Sequence, residues 1–160
     1  MLNFVIRPPR GDEAQLLADL HILAWQQTYA EVFPASAWGE EARAGRVRQW
    51  TVICTRPIPD WHTAVAESDG SVVGIAHTES DRDDPPLRGR KLAFIYLLTE
   101  AHGSGAGQAL LDEVLGDDPA SLWVLEQNAR ARAFYVRNGF VADGARQPTG
   151  YGGDEIRMVR

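Results

Sequence analysis

Apolar residues change their spacing several times along the chain, and each change marks an element. Lys91-Leu92-Ala93-Phe94-Ile95-Tyr96-Leu97-Leu98 is apolar after its first position, the pattern of a strand covered on both faces. Beyond a glycine-rich turn, Gly107, Leu110, Leu111 and Val114 fall at i, i+3, i+4 and i+7, one face of a helix. That helix is expected to stop near Gly116, with Pro119 shortly beyond. Leu122-Trp123-Val124-Leu125 reads as a second buried strand. Asn128 then stands at a helix N-cap position, ahead of Ala129 to Tyr135 and the stop Asn138-Gly139-Phe140.

The flanks predict the rest of the sheet. Phe4-Val5-Ile6 is a short strand, and Asp12 is placed to cap a helix through Leu16, Leu17, Leu20 and Ala24 to Tyr29. A second helix is expected from Ser36 to Trp50. Thr63 to Glu67 and Ser71 to His77 flank Asp69-Gly70, a hairpin signal. Asp81 to Pro86 is a polar loop, and Phe140-Val141 is expected to pair with Glu155 to Val159 across a glycine-rich segment, residues 150–153. An antiparallel meander followed by strand–helix–strand–helix gives an α/β (α+β) fold, a mixed, twisted central sheet with helices on both faces.

Candidate chemistry concentrates in His102-Gly103-Ser104-Gly105-Ala106-Gly107. Glycines let the backbone turn tightly with successive N–H groups free, and the helix that follows adds its positive end, so the turn suits a pyrophosphate. Gln108 and Ala109 stand where a P-loop needs lysine and a hydroxyl. A dinucleotide site is the weaker option: Glu126 lies near the spacing of its acidic partner, but only one crossover surrounds it. Asn128 and Tyr135, seven residues apart with small Ala131 between them, share a helix side and offer two polar points over a groove.

At these residues the chain resembles the GNAT superfamily of acyl-CoA-dependent N-acetyltransferases. The family's Arg/Gln-x-x-Gly-x-Gly/Ala loop matches His102 to Gly107 except at its first position. Its Asn-x-x-Ala-x-x-Phe-Tyr-x-x-x-Gly-Phe motif matches Asn128, Ala131, Phe134, Tyr135, Gly139 and Phe140. The resemblance implies a three-layer fold whose two central strands splay apart, with Leu97, Leu98 and Thr99 pairing with the pantetheine arm of acetyl-CoA. His102, Gly103, Ser104, Gly105, Ala106, Gly107, Asn128 and Tyr135 complete the coenzyme contacts. It also implies that an N–H near Leu97 polarises the thioester carbonyl and that Tyr135 protonates the departing thiolate. Trp25 and Tyr29 match first-helix positions tied to the acceptor, although His21, Trp25 and Tyr29 also form a stripe suited to core packing. Where relatives carry a glutamate at the start of the central strand this chain has Lys91, leaving Glu67, Glu79, His77 or a water chain as candidates for the base. At His102 an imidazole replaces a permanent charge, which makes phosphate attraction weaker or pH-dependent.

Composition narrows partners and setting. The chain has 160 residues, 44% apolar and 24% charged, the size and balance of one domain spanning 1–160. A net charge of −6 argues against nucleic acid or an anionic membrane and favours an amine-bearing substrate. No apolar run reaches membrane-spanning length and the N-terminus lacks a secretory pattern. Cys54 is alone, so it forms no internal disulfide and is expected to be buried, in a cytoplasmic protein. Trp38, Trp50 and Trp61 are candidates for apolar interface area in a homodimer, and Arg130, Arg132 and Arg137 are read as a solvated helix face. The activity expected is transfer of an acetyl group from acetyl-CoA to a primary amine of a small molecule or a protein N-terminus, with no metal. The alternative is a GNAT-like domain that holds acyl-CoA without turnover.

Overall fold

Strands β1 (Val5–Arg7), β2 (His62–Ser68), β3 (Ser71–Ser80) and β4 (Arg90–Leu97) form the expected antiparallel meander. A computed structural model describes residues 2–83 and 85–160, so Asp84 of the polar loop lies outside the described residues. Asp69 and Gly70, at φ 50° and 77°, turn β2 into β3, as two left-handed residues do in a tight hairpin. Strand β5 (Ser121–Leu125) runs parallel to β4. Strand β7 (Asp154–Val159) lies between β5 and the edge strand β6 (Val141–Pro148), giving the order β1-β2-β3-β4-β5-β7-β6.

Helices cover both faces because strand side chains alternate. Ala64 and Ala66 pack with Leu110, Leu111 and Val114 of α3 (Ala106–Val114), in the cluster that also takes Tyr135 of α4 (Ala129–Arg137). Val65, between those alanines, packs with Leu17 of α1 (Ala14–Tyr29) and with Trp50 of α2 (Glu40–Thr55). No helix among the described residues is long and apolar enough to cross a membrane.

Three local expectations are corrected. Asp12 does not cap α1: Glu13 holds the cap position, and its carboxylate instead accepts from the Arg7 guanidinium at 2.6 Å and the Arg10 N–H at 2.7 Å, tying β1 to the helix start. The second helix is divided, with a 3₁₀ turn over Ala35–Trp38, extended backbone at Gly39 and α2 continuing to Thr55. Trp50 offers no interface area, being fully buried and donating its indole N–H to His21 Nδ1 at 3.2 Å. Trp38, Trp61 and Cys54 are half-buried, and burial pushes the Cys54 thiol up to about 11.

The decisive irregularity lies in β4. It pairs with β5 only at Lys91↔Ser121 and Leu92↔Leu122. The next residue, Ala93, is skipped in the register with β3, where Leu92 faces Thr78 and Phe94 faces His77. This bulge transfers the buried side chains from one face to the other: Leu92 belongs to the α3 cluster and Phe94 to the α1–α2 cluster. A bulge also bends a strand and increases its twist, which accounts for β4 leaving β5 at this point. Beyond it, the Leu98 N–H bonds to Val73 O, so by antiparallel alternation the N–H and C=O of Leu97 face away from β3, into the gap.

Candidate active site

A cavity of about 750 Å³ occupies that gap. One end is backbone. Gly103 and Gly105 line it at φ 74° and 88°, conformations that side chains resist. A Cβ added at either would meet nothing within 4 Å, so handedness rather than crowding requires these glycines. Gly107 differs, since a Cβ there would meet Leu97 Cδ1 at 3.1 Å, and it lets α3 pack closely on β4. Ser104 and Ala106 do not line the cavity but shape the loop: Ser104 Oγ donates to Ala101 O at 2.7 Å and accepts from the Ala106 N–H at 3.2 Å. The N–H groups of Gly103, Gly105, Gly107 and Gln108 meet no acceptor among the described residues. Four unpaired amides at a helix N-terminus are suited to an anion.

Charge reaches this end from α4. Arg130 Nη1 donates to His102 Nδ1 at 2.6 Å, while His102 Nε2 lies 3.2 Å from Leu97 O. Arginine only donates and a carbonyl only accepts, so the imidazole is neutral with its proton on Nε2. Partial burial and then the Arg130 charge both lower the His102 pKa. The permanent charge is therefore supplied by Arg130, with His102 as its support. All three arginines of α4 are exposed, as expected of a solvated helix face, and Arg130 and Arg137 also line the cavity while Arg132 does not.

Asn128 Oδ1 caps α4 by accepting from the Ala131 N–H at 3.1 Å, and its Nδ2 donates to the Tyr29 hydroxyl at 3.3 Å. Tyr135, two turns on, also lines the cavity. Its backbone is fixed where α4 ends: the Phe140 N–H bonds to Tyr135 O at 3.0 Å and the Gly139 N–H to Val136 O at 3.1 Å, with Gly139 at φ 85°. This is a Schellman closure whose apolar anchor is the fully buried Phe140, with its ring 5.9 Å from that of Tyr135. Burial, and secondarily Tyr29, raises the Tyr135 phenol well above its ordinary value, so it keeps its proton.

The other end is side chains. Trp25, Tyr29, Phe33, Tyr96 and Tyr151 line it, with ring centroids from 4.7 Å (Tyr29–Phe33) to 6.4 Å (Trp25–Tyr96) apart. Tyr29 and Phe33 are buried, while Tyr151 sits at the mouth, 37% exposed. Trp25 Nε1 is buried and meets no acceptor among the described residues, a state that costs roughly 1–3 kcal/mol when no ligand relieves it. The Arg46 guanidinium lies 4.7 Å over the Trp25 ring. Glu155 of β7 also lines this end.

The expected residues divide accordingly. Trp25 and Tyr29 reach the cavity, whereas His21 turns into the core. Leu97 and Thr99 line it, but the Thr99 N–H is taken by Gln27 Oε1 at 2.9 Å, and buried Leu98 faces β3. Only Leu97 keeps an open amide. His77 and Glu79 lie outside the lining. His77 is 1% exposed, bonded to Thr63 Oγ1 at 2.7 Å and stacked on Phe94, with Glu79 3.8 Å from its Nε2. Glu67 is held by Arg7 at 2.7 Å. The sequence reading missed Arg130, Arg137, Tyr151 and Glu155. Only Arg130 carried a signal, as a cation in the first turn after the N-cap.

Residues 59–142 match the family described as Acetyltransferase (GNAT) domain. An uncharacterized N-acetyltransferase of Bacillus subtilis, YuaI, is 30% identical over 129 residues, covering 77% of this chain and 72% of that protein. A probable N-acetyltransferase of Mycobacterium tuberculosis is 23% identical over 154 residues, 89% of this chain and 82% of that one. Among solved structures, a PaiA N-acetyltransferase from Thermoplasma acidophilum, in complex with coenzyme A, superimposes with a TM-score of 0.71 at 19% identity over 99% of both chains.

Proposed function

Because this chain belongs to the GNAT acetyltransferase family, we propose that it moves an acetyl group from acetyl-CoA to a primary amine of a small molecule or protein N-terminus by direct transfer. The observation that carries the reading is the parting of β4 from β5 beside a loop with four unpaired amides. The residues present fit coenzyme A: the loop amides, Arg130 and Arg137 suit its diphosphate, and the open edge at Leu97 suits an amide-bearing arm. The Thermoplasma protein of the same fold was solved with coenzyme A.

When bound, the coenzyme supplies an activated acetyl thioester. The Leu97 N–H, which faces the gap, would polarise its carbonyl oxygen. Holding amine and thioester in one cavity removes the entropic part of the barrier. The acceptor would attack as the free amine, its ammonium proton having passed to water, and Tyr135 would give its proton to the departing sulfur and recover one from the acylated nitrogen. Burial holds the Tyr135 phenol above its ordinary value, so it meets the sulfur still protonated. Calorimetry with acetyl-CoA and thiol release against an amine panel test the proposal. Binding with amine-stimulated release is expected. Binding without stimulation by any amine leaves the non-catalytic reading, and no binding overturns both.

A further inference from the structure

Resting on the transferase reading, we infer that Glu155 receives the acceptor's ammonium group and that the acceptor is a monoamine with a flat apolar body. Among the described residues lining the cavity, Glu155 is the one carboxylate. It lies on β7 opposite Leu125, which packs with Tyr29 and Phe33. Directly opposed residues share a sheet face, so the carboxylate belongs to the aromatic end. Its charge reaches into that end, where it adds to the rise of the Tyr29 phenol. Gln147 Nε2 donates to Oε1, and Oε2 has no partner among the described residues. Arg146, one position along β6, is taken by Glu126 and Asp154.

A carboxylate without a cation, at a cavity end lined by rings, has the acceptors of an ammonium site. The charge count then separates amines. A polyamine or aminoglycoside brings several cations to one carboxylate, and the next cation nearby, Arg46 on the Trp25 ring, repels any surplus charge. A monoamine leaves none unpaired, and a flat apolar body suits the wall that Trp25, Phe33 and Tyr151 make by packing on one another along the cavity.

The experiment is direct binding to the full chain without coenzyme, read by tryptophan fluorescence and calorimetry, so that it stands apart from the coenzyme test. 2-Phenylethylamine is expected to bind at least tenfold more tightly than both spermidine and the neutral isostere 2-phenylethanol. Glu155→Gln, whose side-chain oxygen still accepts from Gln147, is expected to erase the preference for amine over alcohol while leaving acetyl-CoA affinity and the melting temperature unchanged. Glu155→Asp, the fallback should that variant not fold, is expected to weaken amine binding with alcohol binding intact. Spermidine binding more tightly than 2-phenylethylamine, no 2-phenylethylamine binding, or an amine preference that survives in Glu155→Gln overturns the inference, whatever the coenzyme result.

Discussion

At one end of the cavity a ligand meets main chain, the amides of Gly103, Gly105, Gly107 and Gln108 and the free edge at Leu97. At the other it meets side chains, rings from α1 and the segment after it, β4 and the β6–β7 connection, and one carboxylate from β7. The first end depends on backbone handedness and helix placement, so few substitutions preserve it. The second changes with each side chain while the sheet stays as it is. A fold built this way keeps one ligand fixed and leaves the other free to vary.

Tyr135 stands where the two ends meet, so removing its hydroxyl should separate chemistry from binding. Tyr135→Phe is expected to lower kcat about 100-fold, the lower range for a positioned general acid. The dissociation constant of acetyl-CoA and the KM of the amine should stay within about twofold. A turnover unchanged in steady-state assays would assign the proton to another group and leave Tyr135 as packing against Phe140.

The glycines test whether the coenzyme end is a matter of conformation. Because a Cβ at Gly105 meets open space, Gly105→Ala and Gly105→Val are expected to lose acetyl-CoA affinity alike. The loss should be about tenfold, equivalent to ~1.4 kcal/mol, within the usual cost of a strained backbone. Gly105→Asn should lose less, since asparagine tolerates the left-handed region. Calorimetry giving a large loss for Val and none for Ala would make the site steric instead.

The same contrast explains what could be read from the chain. Strand, turn and helix around residues 91–116, and the capped helix from Asn128, were legible because local periodicity and neighbouring residues determine them. So were the meander and the tail pairing. The bulge at Ala93 was not, since an apolar run looks the same with or without a skipped pairing. The aromatic end was only half visible, through Trp25 and Tyr29. Tyr151 and Glu155 join it through the placement of β7 between β5 and β6, a long-range pairing with no local mark. His77 misled because strand alternation gives its face and not whether a helix covers that face.

Arg130 sharpens the comparison from the coenzyme side, as the α4 charge tied to the loop through His102. Arg130→Ala is expected to weaken acetyl-CoA about fivefold at low salt, and less at high salt, as an exposed charge-assisted contact does. Amine binding at the aromatic end should be unaffected. A fivefold loss in both would show that α4 as a whole had moved, which circular dichroism and thermal melting would register.

The last effect is on stability and comes from the histidines, one behind each end. His21 is 1% exposed and accepts from the Trp50 N–H, and burial, with the Arg46 charge, holds its pKa well below the ordinary value. Unfolded histidine titrates near 6.5, so below that pH the unfolded chain binds a proton that the folded chain refuses. Stability is therefore complete above about pH 6.5 and falls as the medium acidifies. One such group removes at most about 1.4 kcal/mol per pH unit, or roughly 4 °C in melting temperature for a chain of this size. Carboxylates held low, Glu13 and Asp19 among them, act only below their unfolded values near 4. Melting between pH 6.5 and 5 thus isolates the histidines. His21→Gln keeps an acceptor for Trp50 but takes up no proton, and it should flatten that slope. His102→Gln should change it far less, because the half-exposed His102 is displaced from its ordinary value with much of its solvent retained. Equal flattening by the two variants would mean that the coenzyme end is as closed to water as the core behind the aromatic rings.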